Sequence, residues 1–141
     1  MKKNIHLTLT GKQRDDAGEE LVTEVQTAAE MYEQNGSLYI LYEEIPEDGG
    51  PVSKNTIKLK NQVLELTKRG ALATRMVFKP GTEHMTDYAT PYGCLKLGVF
   101  TEKVTASPHP EGLTIRAEYT LTSDGSLLSR CCLTLTAREV S

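Results

Sequence analysis

At 141 residues, with 38% apolar and 25% charged side chains and a net charge of −3, the chain is sized for one domain, residues 1–141, with a core of its own. Its longest apolar run, Leu38-Tyr39-Ile40-Leu41-Tyr42, falls far short of the ~20 residues that span a bilayer. The acidic balance, the absence of Trp and the two Phe argue against nucleic acid, since the basic segments lack interleaved aromatics for base stacking.

In chain order, Ile5, Leu7 and Leu9 alternate with His6, Thr8 and Thr10, which predicts an opening strand. Residues 11–18 read as a polar connection. The segment 19–34 supports two readings. Leu21, Val22, Val25, Ala28, Ala29 and Tyr32 fall at helical spacing. Against that, Asn35-Gly36 is a strong two-residue hairpin turn, and the strand Leu38–Tyr42 that follows needs an incoming partner. The hairpin argument favours a strand at least from Thr27 to Gln34.

An acidic Gly/Pro loop (Pro46 to Pro51) leads to a second hairpin, with Thr56–Lys60 and Val63–Thr67 around Asn61-Gln62. Arg75–Phe78 predicts a short strand, Pro80-Gly81 a turn, and Glu83–Ala89 another strand. Pro91 and Gly93 break the run before Leu95, Leu97 and Val99, and a Pro-rich loop covers Ser107 to Gly112. The clearest hairpin comes last. Leu113, Ile115, Ala117, Tyr119 and Leu121 alternate with polar residues, Asp124-Gly125 turns the chain, and Cys131, Leu133, Leu135 and Ala137 repeat the pattern. About nine or ten short strands with turns between them describe an antiparallel all-β barrel or sandwich. Closure removes exposed edges and favours an up-and-down barrel.

Charge is segregated along the chain. Asp15 to Asp48 holds eleven acidic residues and no basic one, whereas Lys54 to Lys79 holds seven basic residues and one acid, Glu65. Cross-strand pairing accounts for this economically; an anion-recruiting patch, or complementary faces meeting in a homodimer, are the alternatives. No phosphate-binding Gly-rich loop, Gly-x-Ser-x-Gly elbow or His-Glu-x-x-His motif is present, so no catalytic residue, cofactor or metal site is assigned. His6, His84 and His109 are far apart and none sits at zinc-site spacing from a cysteine. The candidate ligand-binding residues are Tyr42, Glu43, Arg69, Arg75, His84 and Tyr92. Of the adjacent Glu43 and Glu44, alternation turns one carboxylate inward. Arg69 and Arg75 are suited to clamping an anion or to cross-strand pairing, and Tyr92 to capping a barrel corner or lining its mouth. The three cysteines, two of them adjacent (Cys131, Cys132), make a poor disulfide framework. Met1-Lys2-Lys3 leads into no signal-peptide pattern, so a cytoplasmic setting is expected.

Several short motifs occur in a particular order. Tyr39-Ile40-Leu41-Tyr42-Glu43-Glu44 follows the Asn-Gly turn. Then come Thr56 and Lys58, Arg69-Gly70, Met76, Phe78, Pro80-Gly81, Thr90-Pro91-Tyr92-Gly93 and Thr101. In this order the chain resembles the YwiB-like family, a bacterial family of unassigned function whose fold is similar to the lipocalin and fatty-acid-binding-protein barrels. The resemblance spans nearly the whole chain and implies a calycin-like barrel in the cytoplasm. It supplies no activity, ligand or site residue. Two signatures of the better-known barrels are missing: there is no Trp for the lipocalin Gly-x-Trp, and Arg116 and Tyr119 are three apart, on opposite strand faces, so they cannot form the carboxylate-holding Arg-x-Tyr pair.

The leading functional reading is a non-catalytic module that binds a small apolar or amphipathic ligand, with Ile57, Leu59, Met76, Phe78, Leu133 and Leu135 lining the pocket. A side-chain-filled barrel that engages a protein partner is the alternative. A small enzyme with His84, Glu43 and an arginine at the barrel mouth is the third reading. No membrane or nucleic-acid partner is expected.

Overall fold

In the computed structural model, which describes residues 2–45, 49–70, 74–90 and 93–140 (backbone only at 88–90 and 94), the chain is a ten-stranded antiparallel sheet. The strands are β1 (Lys3–Asp15), β2 (Glu20–Gln34), β3 (Ser37–Glu44), β4 (Ser53–Lys60), β5 (Val63–Arg69), β6 (Thr74–Phe78), β7 (Glu83–Thr90), β8 (Gly93–His109), β9 (Gly112–Ser123) and β10 (Ser126–Glu139). Their order, β6-β5-β4-β3-β2-β1-β10-β9-β8-β7, is that of an up-and-down meander whose first and last strands pair. The two edges, β6 and β7, pack side by side, so the sheet closes into a nearly complete barrel of calycin-like type.

Three hairpins owe their geometry to their turn residues. Asn35-Gly36 (φ 53° and 77°), Asn61-Gln62 (50° and 63°) and Asp124-Gly125 (51° and 79°) all occupy the left-handed region, the conformation that matches strand twist in a two-residue loop. The segment 20–34 is strand throughout. Its helical spacing is overridden by a register in which β2 pairs with β1 from Lys3↔Met31 to Arg14↔Glu20. β1 likewise runs on to Asp15 through the expected polar connection, and β8 continues through Ser107 and Pro108 to His109. Polar composition did not end these strands because β1 has a ladder on both sides and β8 stays paired with β9 as far as His109↔Gly112.

Directly opposed residues of an antiparallel ladder share a face, so the registers sort the interior into layers. Leu38, Leu59, Leu64 and Phe78 form one inner row across β3–β6, and Ile40, Ile57, Leu66 and Met76 the next. With Ile5, Leu7, Val99, Ile115 and Leu135 these make a contiguous apolar core, in which Phe78 and most of its neighbours are fully buried. The Phe78 ring lies 4.7 Å from that of Tyr119. The centre of the barrel is packed by its own side chains, and at this end Leu59, Gln62, Val104 and Ala106 border a cleft of about 260 Å³.

The seam between β6 and β7 has no backbone ladder. The Thr86 hydroxyl donates across it to the Arg75 carbonyl (2.8 Å). The turn leading into β7 is held by Gly81 N–H to the Thr101 carbonyl (2.8 Å) and Thr101 N–H to the Thr82 carbonyl (3.2 Å). Thr101 sits beside a bulge in β8, fully buried, with an Oγ1 that has no hydrogen-bond partner.

Candidate functional site

The third inner row of β3–β6 departs from the apolar pattern. Tyr42, Asn55, Lys68 and Thr74 are cross-strand neighbours and follow Ile40, Ile57, Leu66 and Met76 toward the opposite end of the barrel. Glu44, next along β3 on the same face, accepts a hydrogen bond from Lys68 Nζ at 2.8 Å. These five residues border an open cavity of about 130 Å³ floored by Ile57, Leu66 and Met76. Burial pushes the Tyr42 hydroxyl up to about 12; the Glu44 carboxylate adds to the shift and a hydrogen bond with the Asn55 side chain opposes it. The phenol is therefore neutral. Asn55 is only 6% exposed, and its Oδ1 is buried without a partner.

Two further clefts flank this panel. The β2–β3 ladder ends at Glu30↔Leu41, so the last residues of β3 leave β2 and open a cleft of about 650 Å³ whose walls include Thr27, Ala29, Tyr42, Glu43, Asn55 and Arg69. Across the panel, the unladdered seam opens about 450 Å³ bordered by Lys68, Arg69, Thr74, Arg75, His84 and Thr86. Tyr42 and Asn55 are shared by the first cleft and the central cavity, Lys68 and Thr74 by the second cleft and that cavity. The three form one basin at the open end of the barrel.

Five of the six candidate residues border this basin, and Tyr92 lies outside the described residues. Tyr42 faces inward; Glu43 faces outward, opposite Lys54, which in turn opposes Arg69. Arg75 is outward as well and pairs with Glu65. His84 lines only the seam cleft and Glu43 only the β2–β3 cleft, so the acid–base group envisaged for an enzyme does not converge. Of the inward apolar residues expected to line a pocket, Ile57 and Met76 do so, whereas Phe78 and Leu135 belong to the packed core. Asn55, Lys68 and Thr74 escaped the sequence analysis. Their signal is register: counted back from the Asn61-Gln62 turn, Asn55 and Lys68 are opposite each other and in phase with Ile57 and Leu66.

One ion pair, Lys68–Glu44, joins the acidic segment to the basic one; Arg75–Glu65 pairs within the basic segment, and Glu43, Lys54 and Arg69 are aligned across three strands. Among the described residues no His, Cys, Asp and Glu cluster could hold a metal ion. Cys131 is buried, its thiol pushed up chiefly by that burial, and Cys132 on the opposite face is half-buried. Both are free thiols.

The family described as "Domain of unknown function (DUF1934)" matches residues 7–135. The chain belongs to the DUF1934 family. A solved structure similar to this DUF1934 chain, the crystal structure of the ywiB protein from Bacillus subtilis, superposes with a TM-score of 0.75 at 20% identity, covering 99% of this chain and 94% of that one. At that identity the likeness shows the fold alone; motif order, family match and fold agree on a YwiB-like family. No curated protein matches the chain. No helix is long and apolar enough to cross a membrane among the described residues.

Proposed function

We propose that this DUF1934 barrel is a non-catalytic small-molecule-binding protein whose ligand enters the open end. One observation carries the reading: a row of polar side chains (Tyr42, Asn55, Lys68, Thr74) replaces the apolar rows on the inner face of β3–β6, above an apolar floor and beside two clefts. A concave apolar surface with a few convergent polar groups is the usual form of a small-ligand site. The free thiols suit a cytoplasmic setting.

The test is native mass spectrometry of freshly purified protein, followed by chemical-shift mapping with small fragments. A monomer carrying an adduct that leaves on activation, or fragment shifts centred on Tyr42, Asn55 and Lys68, supports the reading. A clean, adduct-free dimer in which no fragment moves those signals refutes it. That result favours the second reading, an interaction module. Its own support is the exposed apolar set Leu21, Val25 and Leu95 on inner-face positions of the projecting strands, with Leu127 and Leu128 beside the last turn.

A further inference from the structure

The basin's polar groups differ in what they still lack. Lys68 and Glu44 already satisfy each other at 2.8 Å, so the basin offers no lone buried cation to an anionic head. Among the described residues that line the basin, the group left wanting is Asn55 Oδ1, an acceptor with no donor on a side chain that is 6% exposed. A buried acceptor without a donor is costly, and native proteins keep such atoms where water or a ligand completes them. The Asn55 residue lines both the 130 Å³ cavity and the 650 Å³ cleft, so a molecule entering from either meets its side chain, with Oδ1 just beneath the surface.

From this geometry, and resting on the binding reading above, we infer that the ligand's buried end is an uncharged head carrying both an N–H donor and a carbonyl acceptor, of carboxamide or ureido type. Its N–H donates to Asn55 Oδ1. Its carbonyl oxygen accepts from Lys68 Nζ, which has three donors and spends one on Glu44, or from the Thr74 hydroxyl. Its short apolar part rests on Ile57, Leu66 and Met76. A carboxylate of the same size brings only acceptors: it leaves Asn55 Oδ1 unmet and faces the Glu44 carboxylate.

The probes are butanamide and butanoate, matched in shape and differing in the head group, titrated into the full chain at neutral pH and followed by two-dimensional NMR. Butanamide is expected to bind at least about tenfold more tightly than butanoate, the discrimination that an unmet buried acceptor imposes, with shifts at the Asn55 side-chain amide. In Asn55→Leu, which removes the acceptor while filling the space, the preference is expected to disappear. Equal or tighter binding of butanoate in the basin leaves the binding reading standing and overturns the inference about the head group. If neither probe moves a basin signal and the purified protein carries no adduct, the binding reading falls and the inference with it. The comparison of probes on the unmodified chain decides the matter even if Asn55→Leu does not fold.

Discussion

Tyr42→Phe removes the one hydroxyl on the basin's inner row whose acidity the fold alters, while keeping the ring that packs against the core. In the folded chain the phenol ionises near 12 instead of the ordinary 10.0. The folded state therefore holds its proton after the unfolded state has lost it. The stabilisation is fully present below about pH 10 and is lost as pH climbs toward about 12. At ~1.36 kcal/mol per tenfold change in acidity the ceiling is about 3 kcal/mol. Solvent reaches part of the side chain, which trims the expected loss to about 2 kcal/mol. Urea denaturation of both proteins between about pH 8 and pH 11 captures about half of it, about 1 kcal/mol, because every other alkaline titration cancels in the difference. Wild type should lose stability more steeply than Tyr42→Phe above about pH 10. Parallel curves would refute the burial argument for Tyr42 and weaken the claim that the polar row is held away from solvent.

Two further predictions concern the frame around the site. Thr101 is fully buried with an unpartnered hydroxyl, so Thr101→Val, nearly identical in shape, should be neutral or stabilising by up to about 1 kcal/mol; a fall in Tm would mean that the hydroxyl is bonded after all. Gly112 has φ +154°, and a Cβ there would overlap the Ala137 carbonyl oxygen of the neighbouring strand. Gly112→Ala should cost at least about 2 kcal/mol by chemical denaturation, and an unchanged midpoint would contradict the close approach of β9 to β10.

The legible parts of the sequence were those in which local chemistry decides. Asn35-Gly36, Asn61-Gln62 and Asp124-Gly125 announced their turns because only residues tolerant of positive φ fit there. The alternation of Leu113 to Leu121 and of Cys131 to Ala137 announced the last hairpin. The illegible parts were decided at a distance. Residues 20–26 carry a helical spacing and become strand because β1 pairs with them to Arg14. The site was half legible: Tyr42, Arg69 and His84 stood out as chemistry-bearing residues, whereas Asn55 and Thr74 gained significance only when four strands aligned them with Tyr42 and Lys68. A functional row that runs across strands has no contiguous motif, and only register reveals it.

The pairing of β1 with β10 also governs how the barrel is reached from the unfolded chain. Its partners lie between 114 and 134 residues apart in sequence, from Asp15↔Ser129 to Ile5↔Glu139, while every other ladder joins consecutive strands. Eight local hairpin-type steps can proceed as the chain leaves the ribosome, but β1 keeps one unpaired edge until β10 has been made. Such late, non-local closure slows folding and prolongs the life of a sticky strand edge. A circular permutant that links the two ends and opens the turn between β6 and β7 would place all the ladders between consecutive strands. It should fold faster into the same basin-bearing barrel.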